Sequence, residues 1–192
     1  RKEDVIRLID EKGLLTLELQ DQIMKASKLV EVEDLYRPYK EKKKTKATEA
    51  IAMGLEPLAK MMMSFPTNGS LNDMASKFVK DDLPVEKCIE GAKYIIAEWI
   101  SDNASYRKYI RSYFYKNGIL SSSVKKNAED EGKVYEMYYD YNEKVREIKP
   151  HRVLAINRAE KEKVITVSIN IDKDEIFNFL ESKNIKDEKN VA

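Results

Sequence analysis

The sequence predicts a mainly α protein, an irregular array of several helices with at most a small β element near residues 164–171. Its 192 residues include only six glycines and five prolines, so few of the tight turns that connect strands are available. Apolar residues recur at spacings of three and four through most of the chain, which is the period of an α-helix. A chain of this length can bury one core, or form two small subdomains that share a core.

Local signals divide the helical part of the chain. Thr16 can cap a helix that we expect to run without a break to the residue before Pro38, which the proline forces out of the α region. Gly54 suits the left-handed position that ends a helix. Further along the chain, Ser101 or Asp102 can cap the N-terminus of the helix predicted over residues 101–116. The predicted helices cover residues 1–12, 16–37, 45–53, a segment opening at 56, 71–80, 84–100, 101–116, 127–138, a segment opening at 150, and 172–182.

Residues 164–171 are the segment that departs from this period. Side chains alternate there with a period of two and many are β-branched, so we expect a strand. Residues 119–126 follow neither period, and we expect an irregular segment or a single turn. No linker divides the chain cleanly, and the loop Phe65–Ser70 and the acidic run Glu129–Gly132 are the two candidate boundaries.

Charge is abundant but balanced. Charged residues make up 36% of the chain, and the formal net charge is only +1, so any polyanionic partner would have to use a local patch. No apolar run approaches the roughly 18 residues that span a bilayer, and no signal peptide is visible. The chain begins at Arg1 and contains one cysteine. We interpret it as a fragment of a cytoplasmic protein and expect a monomer.

Residue types suited to catalysis or metal binding are sparse. His151 is the only histidine and has no second histidine or cysteine cluster to complete a metal site. Cys88 lies on the apolar stripe of its predicted helix, which favours a place in the core over a role as nucleophile. Glycine-rich phosphate loops and the GxSxG nucleophile motif are absent. We therefore expect no enzymatic activity, no cofactor and no bound metal.

A run of positive charge follows the helix that ends before Pro38. We call residues 37–46 the basic segment. Glu41 is its single acid. The segment is either a solvated loop between helices, which its residue types alone favour, or a set of unspecific contacts to a phosphate backbone. The candidate nucleic-acid-binding residues are Arg37, Lys40, Lys42, Lys43, Lys44 and Lys46.

Residues 106–116 mix tyrosines with cations, a combination that can stack bases and hold phosphates. Helical spacing favours another interpretation, because Tyr106, Tyr109 and Tyr113 fall on one stripe with the cations beside it. An amphipathic helix that buries its rings accounts for this pattern without a ligand.

Several ordered blocks of sequence are similar to a known family. The blocks are residues 34–40 (DLYRPYK), 45–48 (TKAT), 54–59 (GLEPLA), 91–98 (GAKYIIAE), 118–120 (GIL), 123–126 (SVKK) and 150–156 (PHRVLAI). With these blocks the chain resembles the N-terminal region of the bacterial Tex family, transcription accessory proteins often described as S1 RNA-binding domain proteins. The similarity extends from about residue 3 to residue 171.

The resemblance implies that residues 1–192 are the helical N-terminal piece of a multidomain protein. Family members combine this region with an RNase H-like YqgF domain, helix-hairpin-helix elements and a C-terminal S1 domain, to which nucleic-acid binding is largely attributed. We expect a non-catalytic scaffold of a protein that binds RNA or DNA, with the basic segment adding unspecific phosphate contacts. The alternative is a protein-interaction module that docks on RNA polymerase or on the parent's other domains.

Two positions depart from the family's pattern. Ala159 and Lys163 stand where glycines are common in the family. We therefore expect an unbroken helix through these positions and no tight glycine turn.

Overall fold

The computed structural model describes residues 1–80 and 82–185, and these residues confirm the mainly α class. None of the helices among them is both long enough and apolar enough to cross a membrane. The helices are α1 (Lys2–Asp10), α2 (Leu17–Lys25), α3 (Leu29–Tyr36), α4 (Lys46–Ala52), α5 (Glu56–Met63), α6 (Leu71–Ser76), α7 (Val85–Asp102), α8 (Ala104–Asn117), α9 (Pro150–Lys161) and α10 (Asp174–Asn184). The strands are β1 (Ile119–Val124), β2 (Asp140–Lys144) and β3 (Ile165–Asn170), and short 3₁₀ turns cover Arg37–Tyr39, Glu131–Lys133 and Glu136–Tyr138.

The chain divides into two compact units. The first unit contains residues 1–108 and the described residues from Leu180 onward, and the second contains residues 109–179. The division falls within α8 and α10, and not at the loop Phe65–Ser70 or at the acidic run Glu129–Gly132.

Helices α1, α2 and α3 of the first unit share a small core. Its buried side chains include Val5, Ile9, Ile23 and Val32, which recur at helical spacing in the sequence. The hydroxyl of Thr16 accepts a hydrogen bond from the backbone N–H of Leu19 at 3.2 Å, so the predicted N-cap is confirmed.

The helix predicted over residues 16–37 is broken, because residues 26–28 separate α2 from α3. Glu31 explains the break. Its Oε2 accepts hydrogen bonds from the backbone N–H groups of Ser27 at 3.0 Å and of Lys28 at 3.3 Å. A carboxylate that bonds N–H groups ahead of a helix starts that helix afresh. The bonds from Ser27 and Lys28 also hold the pKa of the Glu31 carboxyl below its ordinary value.

Helix α7 is the central element of the second core in the first unit. Leu55, Leu58, Ala92 and Ile95 are buried in the cluster that α4, α5, α6 and α7 form. Gly91 lets α7 approach its neighbours, because a Cβ there would collide with Leu55 and lie 3.2 Å from the Cβ of Ala50. The predicted stop of α4 is confirmed, since Gly54 has a φ of +85°.

The second unit contains an antiparallel sheet in the order β2-β1-β3. Its strand β3 confirms the strand expected near residues 164–171. The irregular segment expected over 119–126 is wrong, because residues 119–124 are the central strand. Three consecutive serines give this segment a low β propensity, so the strand could not be predicted from its residue types. Its pairing with β2 and β3 identifies it, as does the hydrogen bond at 2.7 Å from the Ser122 hydroxyl to the carbonyl of Tyr138.

The helix expected over residues 127–138 is also wrong, since this segment holds two separate 3₁₀ turns. Gly132 has a φ of +74°, which interrupts a helix. Asp130 accepts from the backbone N–H groups of Val134 at 3.0 Å and Tyr135 at 2.8 Å, and from the hydroxyl of Tyr139 at 2.8 Å. A side chain that binds backbone N–H groups in this way competes with the helical ladder.

The turn from α9 into β3 corrects the expectation of an unbroken helix. The helix continues through Ala159 as expected but ends at Lys161. Lys163 then takes a φ of +64°, a left-handed conformation that costs a residue with a Cβ about 1–2 kcal/mol. Hydrogen bonds at 3.0 Å from the Lys163 N–H to the Glu160 carbonyl and from the Val164 N–H to the Ala159 carbonyl close the turn.

Lys163→Gly should raise the free energy of unfolding by about 1 kcal/mol, because glycine adopts a positive φ without steric cost. Urea denaturation followed by far-ultraviolet circular dichroism measures the change. Lys161→Gly is the matched control, since the same substitution inside a helix should lower stability by up to about 1 kcal/mol. A loss of stability in Lys163→Gly comparable with the control would contradict the left-handed turn.

Candidate nucleic-acid interface

The basic segment is built from three short pieces of structure in the first unit. Helix α3 ends at Tyr36, and Arg37–Tyr39 form a 3₁₀ turn with a proline in its first turn. The chain then runs without regular structure to Thr45. The hydroxyl of Thr45 accepts from the backbone N–H of Thr48 at 3.1 Å and so caps α4. Both ends of the segment are therefore fixed by helices.

A carboxylate on α7 binds two cations of the basic segment. Asp102 was a predicted helix cap, but it is the last residue of α7, and its side chain is only 7% exposed. Arg37 Nε donates to its Oδ1 at 2.8 Å, and Lys42 Nζ donates to its Oδ2. Lys42 Nζ also lies 3.2 Å from Oε2 of Glu98, one turn earlier on α7. We call Arg37, Lys42, Glu98 and Asp102 the Asp102 cluster.

The Asp102 cluster holds two of the six candidate residues in place. A carboxylate that is nearly out of contact with water needs partners, because an unpaired buried charge costs several kcal/mol. Glu98 adds a further bond to the segment, since its Oε1 accepts from the Thr45 hydroxyl at 3.3 Å. The cluster thus links residues 65 and 60 positions apart in sequence and fixes the path of the segment along α7.

The remaining candidate residues differ from one another. Lys46 Nζ donates to the hydroxyl of Tyr94 at 2.9 Å and lies 4.5 Å from its ring centroid, and this hydrogen bond raises the pKa of Lys46. Lys44 lies 3.2 Å from Glu49, but both side chains are largely exposed, so this ion pair is weak. Within the described residues, Lys40 and Lys43 have no carboxylate within 4.0 Å.

An open cleft lies between the basic segment and α7. Its volume is about 450 Å³, and Lys40, Lys43 and Lys46 line it together with Tyr94, Glu98 and Ser101. Glu41 lines the cleft as well, and because the acids of the Asp102 cluster pair with Arg37 and Lys42, the lysines without a carboxylate partner outnumber this acid and give the cleft its positive character. Such an arrangement can attract an anion without fixing its orientation, as lysine is a flexible point charge.

The other sequence candidates are not among the residues that line this cleft. His151 is exposed in the first turn of α9, in the second unit. Cys88 is fully buried in the α7 core, and burial raises the pKa of its thiol. Tyr106, Tyr109 and Tyr113 are half-buried, and the ring of Tyr109 stacks on Phe179 with 3.7 Å between centroids. No group of three metal-ligating side chains occurs in residues 1–80 or 82–185.

Sequence reasoning found the basic segment but missed the acids that hold it. Glu98 and Asp102 are four residues apart on one helix, which places both on the same face of α7. This spacing of two acids at the end of an otherwise amphipathic helix was the available signal. Nothing local connects them to lysines some 60 positions earlier in the chain.

Lys42→Met should lower the free energy of unfolding by about 2 kcal/mol, because it removes one of two cations from a buried carboxylate. Lys43→Met is the matched control. It makes the same chemical change at an unpaired neighbour and should shift stability by less than about 0.5 kcal/mol. Urea unfolding followed by the fluorescence of Trp99, the single tryptophan and a residue of α7, measures both. Equal effects of the two substitutions would contradict the Asp102 cluster.

Comparison with known proteins identifies the chain's relatives. The family model described as Tex central region-like matches residues 68–190. The chain is 49% identical over 190 residues to protein YdcI of Bacillus subtilis, covering 97% of this chain and 26% of that protein. It is 35% identical over 175 residues to protein YhgF of Escherichia coli, covering 90% and 22%.

A third relative has a name that refers to a process. The chain is 31% identical over 176 residues to the transcriptional accessory protein Tex of Neisseria gonorrhoeae, covering 91% of this chain and 23% of that protein. The chain thus spans about a quarter of the length of the curated relatives that it matches. The family model covers more than half of the chain, and the resemblance found in the sequence blocks is confirmed. This chain belongs to the Tex family.

Proposed function

We propose that the chain is a non-catalytic helical scaffold within a nucleic-acid-binding transcription accessory protein, and that its basic segment adds unspecific contacts to phosphate backbone. The name of the Neisseria gonorrhoeae relative supports the role in transcription for the whole protein. The scaffold role is supported by the helical cores around α7 and within α1–α3, which give the segment a fixed base.

One observation carries the proposal: some of the six cations pair with a buried carboxylate, and others have no carboxylate within 4.0 Å among the described residues. Phosphate binding requires a cation that can exchange its partner for the ligand. Arg37 and Lys42 cannot do so at low cost, because Asp102 would then lose partners in a buried position. Lys40 and Lys43 have no such commitment among the described residues. We therefore assign phosphate contact to Lys40 and Lys43, and a positioning role to Arg37 and Lys42.

The remaining two cations are placed between these groups. The pair of Lys44 with Glu49 is exposed and costs little to break, so Lys44 is available to a phosphate. Lys46 is held by a neutral hydroxyl and an aromatic ring, and not by a carboxylate within 4.0 Å among the described residues. Its charge is offset only in part, by the carboxylates of Glu90 and Glu49, and adds to the field of the cleft. Neither residue has the geometry of a base-specific contact, so the binding is unspecific.

A protein-interaction role has its own support. Several large apolar side chains of α2 and α3 are exposed, among them Leu17 at 87% and Leu29 at 64%. Exposed apolar side chains close together in sequence are typical of surfaces that contact another protein. On this alternative, the chain docks on RNA polymerase or on another domain of the parent, and the basic segment is solvated.

A salt titration of the 192-residue chain against a labelled 20-base-pair DNA duplex tests the first proposal. If four lysines contact phosphates, the logarithm of the binding constant should fall with the logarithm of salt at a slope of about −3.6. Lys40→Gln combined with Lys43→Gln should reduce this slope by about 1.8. Lys60→Gln is the control, because Lys60 is a cation of the same unit that lies on α5, outside the basic segment.

Two outcomes would contradict the proposal. The first is an unchanged slope in the variant with both Lys40 and Lys43 replaced. The second is a loss in Lys60→Gln as large as the loss in that variant, which would mean that only bulk charge matters. Binding to purified RNA polymerase that depends on Leu17 and Leu29, together with no effect of the lysine substitutions, would support the alternative.

A further inference from the structure

Four lysines of the second unit lie at the same end of the β1–β3 pair. Lys125 and Lys126 follow β1, Lys161 is the last residue of α9, and Lys163 lies in the turn between α9 and β3. We call these four residues the sheet-end lysines. Lys125 is half-buried and the other three are exposed.

The backbone holds the two turns together. Strands β1 and β3 pair up to Val124 opposite Ile165. Beyond that pair, the N–H of Lys125 donates to the carbonyl of Val164 at 2.9 Å, which extends the contact by one residue. The residue after Lys125 is Lys126, and the residue before Val164 is Lys163.

The sheet-end lysines have no carboxylate within 4.0 Å, and the same holds for Lys116, Lys149, Arg158 and Lys173 among the described residues of the unit. Lys133, Lys144, Arg146 and Arg152 each have a carboxylate within 4.0 Å. Among the described residues, none of the sheet-end lysines has one. Their positive charge is therefore not neutralised by ion pairs within this part of the protein.

Nearby acids are already engaged with neutral donors. Glu162 lies between Lys161 and Lys163 in sequence, and its Oε2 accepts from the hydroxyl of Tyr135 at 2.9 Å. Asp130 binds the Tyr139 hydroxyl and two backbone N–H groups. These carboxylates thus stabilise the fold of the unit through neutral hydrogen bonds.

Lys163 adds a second and independent observation. Its left-handed backbone conformation, with a φ of +64°, would suit glycine better, yet the position carries a long cationic side chain. Residues held in sparsely populated backbone conformations cluster at functional sites, and Lys163 shares its positive φ with Lys133, which is paired with Glu136. At Lys163 the left-handed backbone coincides with the lack of a carboxylate within 4.0 Å among the described residues.

We propose that the sheet-end lysines form a second contact site for the phosphate backbone of a nucleic acid, separate from the basic segment. Cations on two adjacent turns suit successive phosphates along a strand, and each phosphate that they neutralise releases condensed counterions. Lysine provides charge without a fixed geometry, so the site contributes affinity and not base recognition.

Lys163→Gly provides the sharpest test, because the two roles of this residue predict opposite signs. The substitution removes a charge and should weaken binding to a labelled 20-base-pair duplex by about tenfold at 50 mM salt, with the salt slope reduced by about 0.9. The same substitution relieves the left-handed strain and should make the protein more stable. A loss of binding in a more stable protein cannot be ascribed to unfolding.

Lys126→Gln should produce a similar loss of affinity, and its combination with Lys163→Gly should reduce the slope by about 1.8. Lys133→Gln and Lys144→Gln are the matched controls, because they remove the same charge from lysines of the same unit that are not sheet-end lysines, and Lys144 lies opposite Ile119 at the other end of β1. We expect the controls to change affinity by less than about threefold, since they leave the proposed phosphate contacts in place. Repeating the series in the Lys40→Gln, Lys43→Gln background separates this site from the basic segment.

The results divide clearly. If the sheet-end substitutions still lower the affinity in the Lys40→Gln, Lys43→Gln background, the second site is supported, even if the basic segment proves inactive. Unchanged binding in Lys126→Gln with Lys163→Gly would overturn the site, and so would losses no larger than those of the controls. Inorganic phosphate serves as a competitor at constant ionic strength. Efficient release of the duplex by this small anion would overturn the assignment to a nucleic-acid backbone and indicate a site for a free phosphate.

Discussion

The path of the basic segment in the first unit depends on how the buried carboxylate of Asp102 is neutralised. Asp102 is the last residue of α7, and its side chain is almost inaccessible to water. It binds Arg37, which precedes Pro38, and Lys42, which follows it. The core of α4–α7 fixes where α7 ends, so it also fixes where this charge lies. The charge then selects the path of the basic segment, because Arg37 and Lys42 must both reach it. A segment that its composition would leave solvated becomes an ordered surface.

In both units, cations that pair with a carboxylate can be distinguished from cations that have no carboxylate within 4.0 Å among the described residues. The chain has a formal net charge of only +1, so its overall field is weak. Local structure nevertheless concentrates unpaired lysines at two places, the cleft beside α7 and the end of the β1–β3 pair. In each place the neighbouring acids have other partners, which are cations at Asp102 and neutral hydroxyl and N–H groups at Glu162 and Asp130. Asp102 is thus neutralised by Arg37 and Lys42, whereas Glu162 and Asp130 keep their negative charge and are held in place by neutral hydrogen bonds.

Local signals predicted the parts of the fold that depend on local physics. The cap at Thr16, the stop at Gly54 and the strand near residue 165 follow from the nature of the residues themselves. The failures share a different cause. Strand β1 is recognisable only through its partners β2 and β3, which lie far from it in sequence. The break before α3 rests on Glu31 binding backwards to Ser27 and Lys28, a choice that helical periodicity does not contain.

The candidate site shows the same limit. The six cations of the basic segment were visible in the sequence, but their division into held and free residues was not, because it depends on acids of α7 about 60 positions away. Lys163 is instructive in the same way, since the loss of a family glycine suggested a longer helix. The hydrogen bonds of Lys163 and Val164 to the last turn of α9 keep the turn in place of that helix, at the cost of strain.

A double-mutant cycle between Lys42 and Asp102 tests most directly whether the buried carboxylate fixes the basic segment. Lys42→Met, Asp102→Asn and the double variant are unfolded in urea, with Trp99 reporting on α7. The structure predicts a coupling free energy of at least about 1.5 kcal/mol, as expected for a charge pair with little access to water. A coupling below about 0.5 kcal/mol, the value typical of exposed ion pairs, would contradict the account.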